Sequence, residues 1–295
     1  MPKYGALEML YQGRSAALAP IYLLRKDFTQ DSEPDVMARD STLDVRRFAW
    51  SPDGRRGAFL YADVLVGINP GVDTHRLTDG ISAITFGDDA ETVYAVRVVA
   101  DGGNDSASIL AVNQATGHER ELDRVSYPRP NIQEEEALSE AQFTDDGGPI
   151  RLFWMHDDTL RLWILDGGTW TIDPAEGTAT KLDEEALPVL WASEGERRIR
   201  LSFENGATRL RMVDRSGDVM ASTSVNGRVS HLRWSPRGDQ IVFTVGESTA
   251  NGGVLQDLYL WNLGEGREPK PMMMTNTGAS FGAEWRGSQS RWEED

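Results

Sequence analysis

Four histidines are the first residues to consider for acid–base or metal chemistry in this chain. They are His75, His118, His156 and His231, and no two of them stand at the short spacing that a zinc site uses. The chain has no cysteine, which excludes disulfides, thiolate catalysis and cysteine-ligated metals. His231 is the most interesting of the four because it lies three residues before Trp234 in a strand-like segment.

A second chemical signal is the string Gly278-Ala279-Ser280-Phe281-Gly282, which has the spacing of a hydrolase nucleophile elbow. Such an elbow needs a helix and then an acid and a histidine, for which the residues after Trp285 leave no room. The acidic segments Asp101–Asp105 and Glu134–Glu136 lack the spacing of a calcium-binding loop. We therefore predict no catalytic, cofactor-binding or metal-binding residue, and no cofactor.

Two near-copies of one motif indicate a repeated supersecondary unit. Phe-Ala-Trp-Ser-Pro-Asp-Gly spans Phe48 to Gly54, and Leu-Arg-Trp-Ser-Pro-Arg-Gly spans Leu232 to Gly238. In each copy an aromatic residue ends a strand, Ser-Pro-x-Gly forms a tight turn, and a second strand follows. Such repetition is typical of solenoids and propellers.

Further aromatic residues at strand ends extend this pattern to six units. The intervals between them are 36 to 57 residues, close to the length of a four-stranded propeller blade. Polar turns and β-branched runs follow these marker residues, whereas helical periodicity is almost absent. The six markers are Trp50, Phe86, Phe143, Trp191, Trp234 and Trp285.

The two chain ends complete the sixth unit. Too few residues follow Trp285 to supply the remaining strands of its blade, but three apolar segments precede Trp50. We therefore predict an all-β, six-bladed β-propeller of four-stranded antiparallel blades, closed by pairing N-terminal strands with the C-terminal strand. Residues 1–295 would form this single domain. His231 then lies on an innermost strand and is a candidate for the central channel, with a structural role favoured over catalysis.

The strings that begin at Trp50 and Trp234, Trp-Ser-Pro-Asp-Gly-Arg-Arg-Gly-Ala-Phe and Trp-Ser-Pro-Arg-Gly-Asp-Gln-Ile-Val-Phe, resemble the repeat of TolB-type, WD40-like propellers. Ile21–Leu24 and Asp257–Trp261 look like the third strand of that repeat. Domains of this type include bacterial periplasmic partner-binding proteins, parts of some actinobacterial lipoproteins, and the gating domain of prolyl-oligopeptidase-like enzymes. The resemblance therefore implies the fold and no particular activity.

The longest interval between markers contains a stiff, extended segment that is followed directly by glutamates. Long loops on rigid scaffolds often carry recognition, so this interval predicts a contact with a protein partner. A variable loop without a role explains the same residues equally well. The candidate contact residues are Tyr127, Arg129, Asn131, Glu134, Glu135 and Glu136.

The chain is acidic, with a formal net charge of -17 over 295 residues. Its mean field repels nucleic-acid phosphates and anionic lipids, so we predict no nucleic-acid partner. No apolar run approaches the ~18 residues of a membrane span, and no secretory leader is recognisable. Compartment and oligomeric state stay open, since removal of a leader or anchor would place the chain outside the cytoplasm.

Two functions fit these observations best. The first is a noncatalytic scaffold that binds another protein through one rim or the channel mouth, in keeping with the missing catalytic set. The alternative is a propeller hydrolase or lyase, or the accessory propeller of a larger peptidase-like enzyme, with its site in the channel. A sugar binder that stacks its ligand on Trp170 or Trp292 is a third hypothesis.

Overall fold

The computed structural model describes residues 8–13, 21–28, 33–40, 43–51, 55–69, 74–101, 104–129, 150–155, 158–164, 167–182, 192, 196–235, 238–263 and 270–285. Within these ranges every regular element is a β-strand, and the strands form six antiparallel sheets. No helix in the described ranges is long and apolar enough to cross a bilayer. The prediction of an all-β, antiparallel architecture is confirmed.

Three sheets, named A to C, contain the strands of the first part of the chain. Sheet A also includes the last strand, in the order β23-β1-β2-β3, whereas sheets B and C follow the chain order. The bounds in sheet A are β1 Glu8–Gly13, β2 Ile21–Asp27, β3 Asp35–Asp40 and β23 Ser280–Trp285; in sheet B, β4 Leu43–Trp50, β5 Gly57–Tyr61, β6 Val64–Ile68 and β7 His75–Thr78; and in sheet C, β8 Ile81–Phe86, β9 Thr92–Asp101, β10 Asn104–Asn113 and β11 Glu119–Pro128.

Sheets D to F continue in chain order, and sheet E has three strands among the described residues. The predicted first strand of sheet E, ending at Trp191, lies outside the described residues. The bounds in sheet D are β12 Ile150–Trp154, β13 Leu160–Ile164, β14 Gly168–Asp173 and β15 Thr178–Leu182; in sheet E, β16 Arg197–Glu204, β17 Ala207–Asp214 and β18 Val219–Asn226; and in sheet F, β19 Arg228–Trp234, β20 Gln240–Ser248, β21 Val254–Asn262 and β22 Met272–Met273.

The two ends of the described chain meet in sheet A. β1 pairs antiparallel with β23, with Met9 opposite Trp285 and Gly13 opposite Ser280. Gly282 is an extra residue on β23 at a bulge, and its φ of +56° lies in the left-handed region that favours glycine. The N-terminal strand therefore covers the outward edge of the C-terminal strand.

Apolar side chains are buried between neighbouring sheets. Separate clusters fill the seams of A with B, B with C, C with D, E with F, and F with A. Among the described residues, sheets A, B, C and E thus pack face to face against the sheet that follows them in the chain, and F packs against A, an arrangement consistent with a β-propeller. In the order of the seams, representative buried residues are Phe48, Leu60, Leu162, Phe243 and Leu258.

The serines of the two Ser-Pro motifs make the same backbone hydrogen bond across the turn. The Ser51 N–H donates to the Arg56 carbonyl at 2.9 Å, and the Ser235 N–H donates to the Gln240 carbonyl at 2.8 Å. The Ser51 hydroxyl also accepts from the Arg56 N–H and donates to its carbonyl, at 2.9 Å each. Similar backbone hydrogen bonds are made in sheets D and E by Met155 and Ala192, which donate to the carbonyls of Thr159 and Arg197.

Sheet D begins at a different marker from the one predicted. Phe143 lies outside the described residues, and Ile150–Trp154, expected to be a second strand, is the first strand of its sheet. Trp154 ends this strand and stacks on Tyr94 of sheet C, with ring centroids 5.4 Å apart. The prediction that Ile150–Trp154 is a second strand is therefore wrong. The polar string at 144–148 has the composition of a hairpin turn, and this composition misplaced the marker.

Replacing the buried Ser51 should destabilise the protein measurably. In Ser51→Ala the Arg56 N–H loses its side-chain acceptor inside the turn, so we expect a loss of about 1–3 kcal/mol in the free energy of unfolding. Urea denaturation measures the change. Ser126→Ala is the matched control, because Ser126 is exposed on β11 and should change stability by less than about 0.5 kcal/mol. Equal effects of the two substitutions would contradict this assignment.

Candidate functional site

His231 lies in β19, the first strand of sheet F, and only 5% of its surface is exposed. Its φ of +51° is in the left-handed region, which is uncommon for a residue other than glycine. His231 and Leu232 together oppose one residue of β20, so the strand bulges here. Gly282 occupies the equivalent position in β23, three residues before the strand-ending tryptophan. His231 therefore occupies the bulge position that glycine occupies in β23, the inner strand of sheet A.

Two polar contacts lie at these bulges, one within β19 and one between sheets A and F. Nδ1 of His231 lies 2.9 Å from Oγ of Ser230, and the N–H of Gly282 donates to Oγ1 of Thr244 at 2.9 Å. Thr244 is fully buried and pairs with Ser230 across β19 and β20. The bulges thus bring a histidine, a serine and a threonine into one seam. The Gly282 hydrogen bond connects the inner strand of sheet A to β20, and His231 is buried beside it on β19.

The predicted partner loop begins later than the sequence suggested. Tyr127 lies in β11 with 2% of its surface exposed, inside the cluster between sheets C and D, and burial raises its pKa to about 12. Tyr127 therefore belongs to the core and is not presented to a partner. Arg129 is exposed, but both Nε and Nη2 donate to Oδ1 of Asp105, at 3.1 and 2.9 Å. The other four candidates, Asn131, Glu134, Glu135 and Glu136, lie outside the described residues.

Other chemical signals of the sequence have structural explanations. Ser280 begins a strand rather than preceding a helix, and its hydroxyl lies 2.7 Å from that of Thr277, so the nucleophile-elbow interpretation is excluded. Trp170 is buried, with Nζ of Lys181 5.2 Å from its ring centroid, so the prediction that it is free to stack a ligand is wrong. Trp292 lies outside the described residues. No three His, Asp or Glu side chains within the described ranges could hold a metal ion together.

A groove of about 440 Å³ separates the outermost strand of sheet E from sheet F. Strand β18 forms one side of it, and residues of β20, of β21 and of the segment before β22 form the other. This volume is in the range of ligand-binding clefts in proteins. The lining residues are Ser222, Thr223, Ser224, Val225, Asn226, Glu247, Tyr259, Lys270 and Pro271.

The polar side chains of this groove are not used by the fold. Ser222, Thr223, Ser224, Asn226, Glu247 and Lys270 have no side-chain hydrogen bond or ion pair to any part of the chain that the structure describes. They present hydroxyl, amide, carboxylate and ammonium groups in one cleft. The groove can therefore offer both donors and acceptors to a bound molecule without breaking an existing contact.

Tyr259 supplies the aromatic surface of the groove. Its ring stacks on the buried Phe243, with centroids 6.0 Å apart and planes 13° from parallel. Burial raises the pKa of Tyr259 above its ordinary value, and the negative charges of Glu247 and Asp257 raise it further. The side chain therefore stays a neutral phenol near neutral pH, able to donate and accept a hydrogen bond.

Sequence reasoning missed every residue of this groove. Its walls come from two sheets, and Lys270 follows Asn226 by more than forty residues, so no local motif marks the site. One signal was present in the sequence: Val219–Asn226 is a strand of eight residues without a charged side chain. An uncharged strand of this length is unusual where a sheet edge is exposed.

Comparisons with known proteins found no matching family model and no matching curated protein. Among solved structures, the chain is similar to an oligogalacturonate lyase from Vibrio parahaemolyticus, with 10% identity over 86% of this chain and 76% of that one, at a TM-score of 0.47. An oligogalacturonate lyase in complex with manganese shows 12% identity over 83% and 68% of the chains, at a TM-score of 0.43.

The Pyrococcus horikoshii acylaminoacyl peptidase shows 15% identity at a TM-score of 0.47. The similarity covers 88% of this chain and 43% of that one, so this chain spans less than half of the peptidase. These structure neighbours have propeller-type folds. The similarities are too remote to assign an activity, and no family model supports a TolB-type assignment specifically.

Removing the carboxylate of Glu247 should lower the pKa of Tyr259. The charge of Glu247 disfavours the tyrosinate, so in Glu247→Gln the pKa should fall, while burial keeps it above the ordinary value for tyrosine. Titration of ¹³Cζ-labelled tyrosine by NMR measures the shift. Glu176→Gln, in an exposed turn of sheet D, is the control and should leave the Tyr259 resonance unchanged. An identical Tyr259 titration in both variants would contradict the proposed arrangement of the groove.

Proposed function

We propose that this chain is a noncatalytic β-propeller of the TolB type that binds a protein partner in the groove between sheets E and F. In this proposal residues 1–295 form one domain, and its six sheets form a ring that the pairing of β1 with β23 closes. The loop after Arg129, with Asn131, Glu134, Glu135 and Glu136, remains a predicted second contact for the partner.

The observation that carries this proposal is the set of unused polar groups in the groove. Polar groups that water reaches incompletely usually find hydrogen-bond partners inside a protein, and the side chains of the groove have none within the described residues. Thr223 and Ser222 are half-buried, so water alone reaches them incompletely. A partner that supplies donors and acceptors along the groove would satisfy these groups.

The charge of the groove favours a protein partner over a nucleic acid. Its two ionised side chains, Glu247 and Lys270, cancel each other, while the whole chain carries a net charge of -17. Binding of a phosphate backbone needs a cluster of Lys and Arg, and a single lysine does not supply it. A segment of mixed or neutral composition fits such a surface without electrostatic cost.

Site-specific photocrosslinking tests this proposal. A benzoylphenylalanine at position 224 in the groove should yield a discrete adduct with one protein from the native source, identified by mass spectrometry. The same probe at Thr180, on the exposed outer strand of sheet D, is the control and should yield no such adduct. A probe at Ser126 reports on the predicted loop contact. Adducts from position 126 and none from position 224 would overturn the assignment of the groove.

A second candidate function is hydrolysis at His231, since the left-handed φ is an outlier of the kind that clusters at functional sites. The 2.9 Å contact between His231 Nδ1 and Ser230 Oγ could make the serine a nucleophile. We rank this second because both side chains are at least nine-tenths buried, which leaves little access for a substrate. The alternative that this chain is the accessory propeller of a larger peptidase-like enzyme also ranks below partner binding.

A serine-directed fluorophosphonate probe distinguishes the two functions. If His231 activates Ser230, the probe should label Ser230 in the parent chain, and His231→Gln should reduce labelling by about 10² or more. Peptide mapping by mass spectrometry identifies the labelled residue. On our main proposal the parent chain is not labelled at Ser230. Labelling at Ser230 that depends on His231 would replace that proposal with the hydrolase.

A further inference from the structure

The groove follows the edge of strand β18 rather than one of its faces. Five consecutive residues, Ser222 to Asn226, line it. In a strand, alternate side chains point to opposite faces, and here Val225 packs into the cluster between sheets E and F. A cavity that touches every residue in turn must therefore lie along the outer edge of the strand, where the backbone N–H and C=O groups point.

That edge is unpaired in the described part of the chain. β18 pairs with β17 on one side, from Thr208 opposite Val225 to Val213 opposite Val219, and it is the last strand in the order of sheet E. An outermost strand presents a row of free backbone donors and acceptors on its other side. The groove thus offers backbone groups in addition to its hydroxyls.

The composition of β18 does not protect this edge. Proteins commonly place charged residues on exposed edge strands, which prevents pairing with other chains. Each of the other outermost strands longer than two residues contains at least one charged residue. For example, β15 contains Lys181 and β11 contains five charged residues. β18 has none, and its central Thr223 is of a residue type that is enriched in strands.

Exposed methionines flank the same edge. Met220 precedes the groove on β18, and Met272 and Met273 follow Lys270 and Pro271 on its other side. Methionine is flexible and polarisable, so it adapts to varied apolar side chains and is common at peptide-binding surfaces. These residues would contact alternate side chains of a segment that lies along β18.

We propose that an extended segment of the partner protein, with apolar residues at alternate positions, adds to sheet E as a strand alongside β18. This inference rests on the proposed function, for which it names the binding mode. The length of the groove along Ser222 to Asn226 matches about five residues of an extended chain, or ~17 Å. A second copy of this chain fits less well, because each copy carries a net charge of -17 and the wall of Lys270 and Pro271 leaves room for a narrow segment.

The test uses a neutral synthetic peptide, acetyl-Thr-Val-Thr-Val-Thr-Val-amide, and two analogues of it that are N-methylated at alternate residues. N-methylation removes backbone donors and leaves the side chains unchanged. The readout is the ¹³C-methyl NMR spectrum of methionine in the full chain. We expect saturable shifts of the Met220, Met272 and Met273 resonances, with those of the buried Met9 and Met212 unchanged.

The analogue whose methylated amides face β18 should bind about ten-fold or more weakly than the parent peptide, and Ser224→Lys should weaken the parent peptide by a similar factor. Thr180→Lys, on the exposed outer strand of sheet D, is the matched control and should leave affinity unchanged. Equal affinity of both analogues and the parent peptide would overturn strand addition.

The remaining outcomes separate this inference from the proposed function. Absence of saturable peptide binding, with the crosslink from position 224 intact, overturns strand addition and leaves partner binding in place. Self-association that Ser224→Lys abolishes, measured by sedimentation, would show that a second copy covers the edge and would also overturn the inference. If position 224 gives no crosslink and the peptide shifts no methionine resonance, the groove has no role in binding and both proposals fail.

Discussion

The structure depends on sheets that are apolar on both faces. In β1 and β23, Tyr11 and Trp285 point to sheet F, while Phe281 packs against the cluster of sheet B. Sheets A, B, C and F each contribute to two buried clusters, one on each side. Exposure of either face to water would be costly, so each of these sheets must be covered by a neighbour on both sides. Face-to-face packing in chain order satisfies this requirement.

This packing decides which parts of a sheet remain for function. The faces that carry these clusters are buried, and the inner strands β19 and β23 are joined by a hydrogen bond from Trp285 Nε1 to the Arg233 carbonyl at 3.3 Å. What stays accessible is the outer edge of each sheet and the open part of each seam. His231 and Gly282 are equivalent bulge positions with φ of +51° and +56°, so the left-handed conformation of His231 belongs to the bulge of an inner strand.

The groove between sheets E and F combines these two accessible features. Its aromatic side, Tyr259 on Phe243, continues the buried cluster of the seam, and its polar side is the edge of β18. Backbone groups with which a further strand would pair are unpaired on that edge among the described residues. The predicted loop differs in this respect: Arg129 is already bound to Asp105, and Tyr127 is part of the core. Unused hydrogen-bonding capacity, rather than exposure alone, distinguishes the groove.

The sequence by itself determined the local elements of this protein. Trp50, Trp234 and Trp285 end strands as expected, and Ser51 and Ser235 form the expected turns, because turn chemistry and alternating apolar residues act over a few neighbouring positions. Tertiary structure alone decided that Trp154 rather than Phe143 ends the first strand of sheet D, that Tyr127 is buried, and that β18 faces Lys270 across a groove. Those outcomes depend on which sheet covers which face, and residues far apart in the chain set that contact.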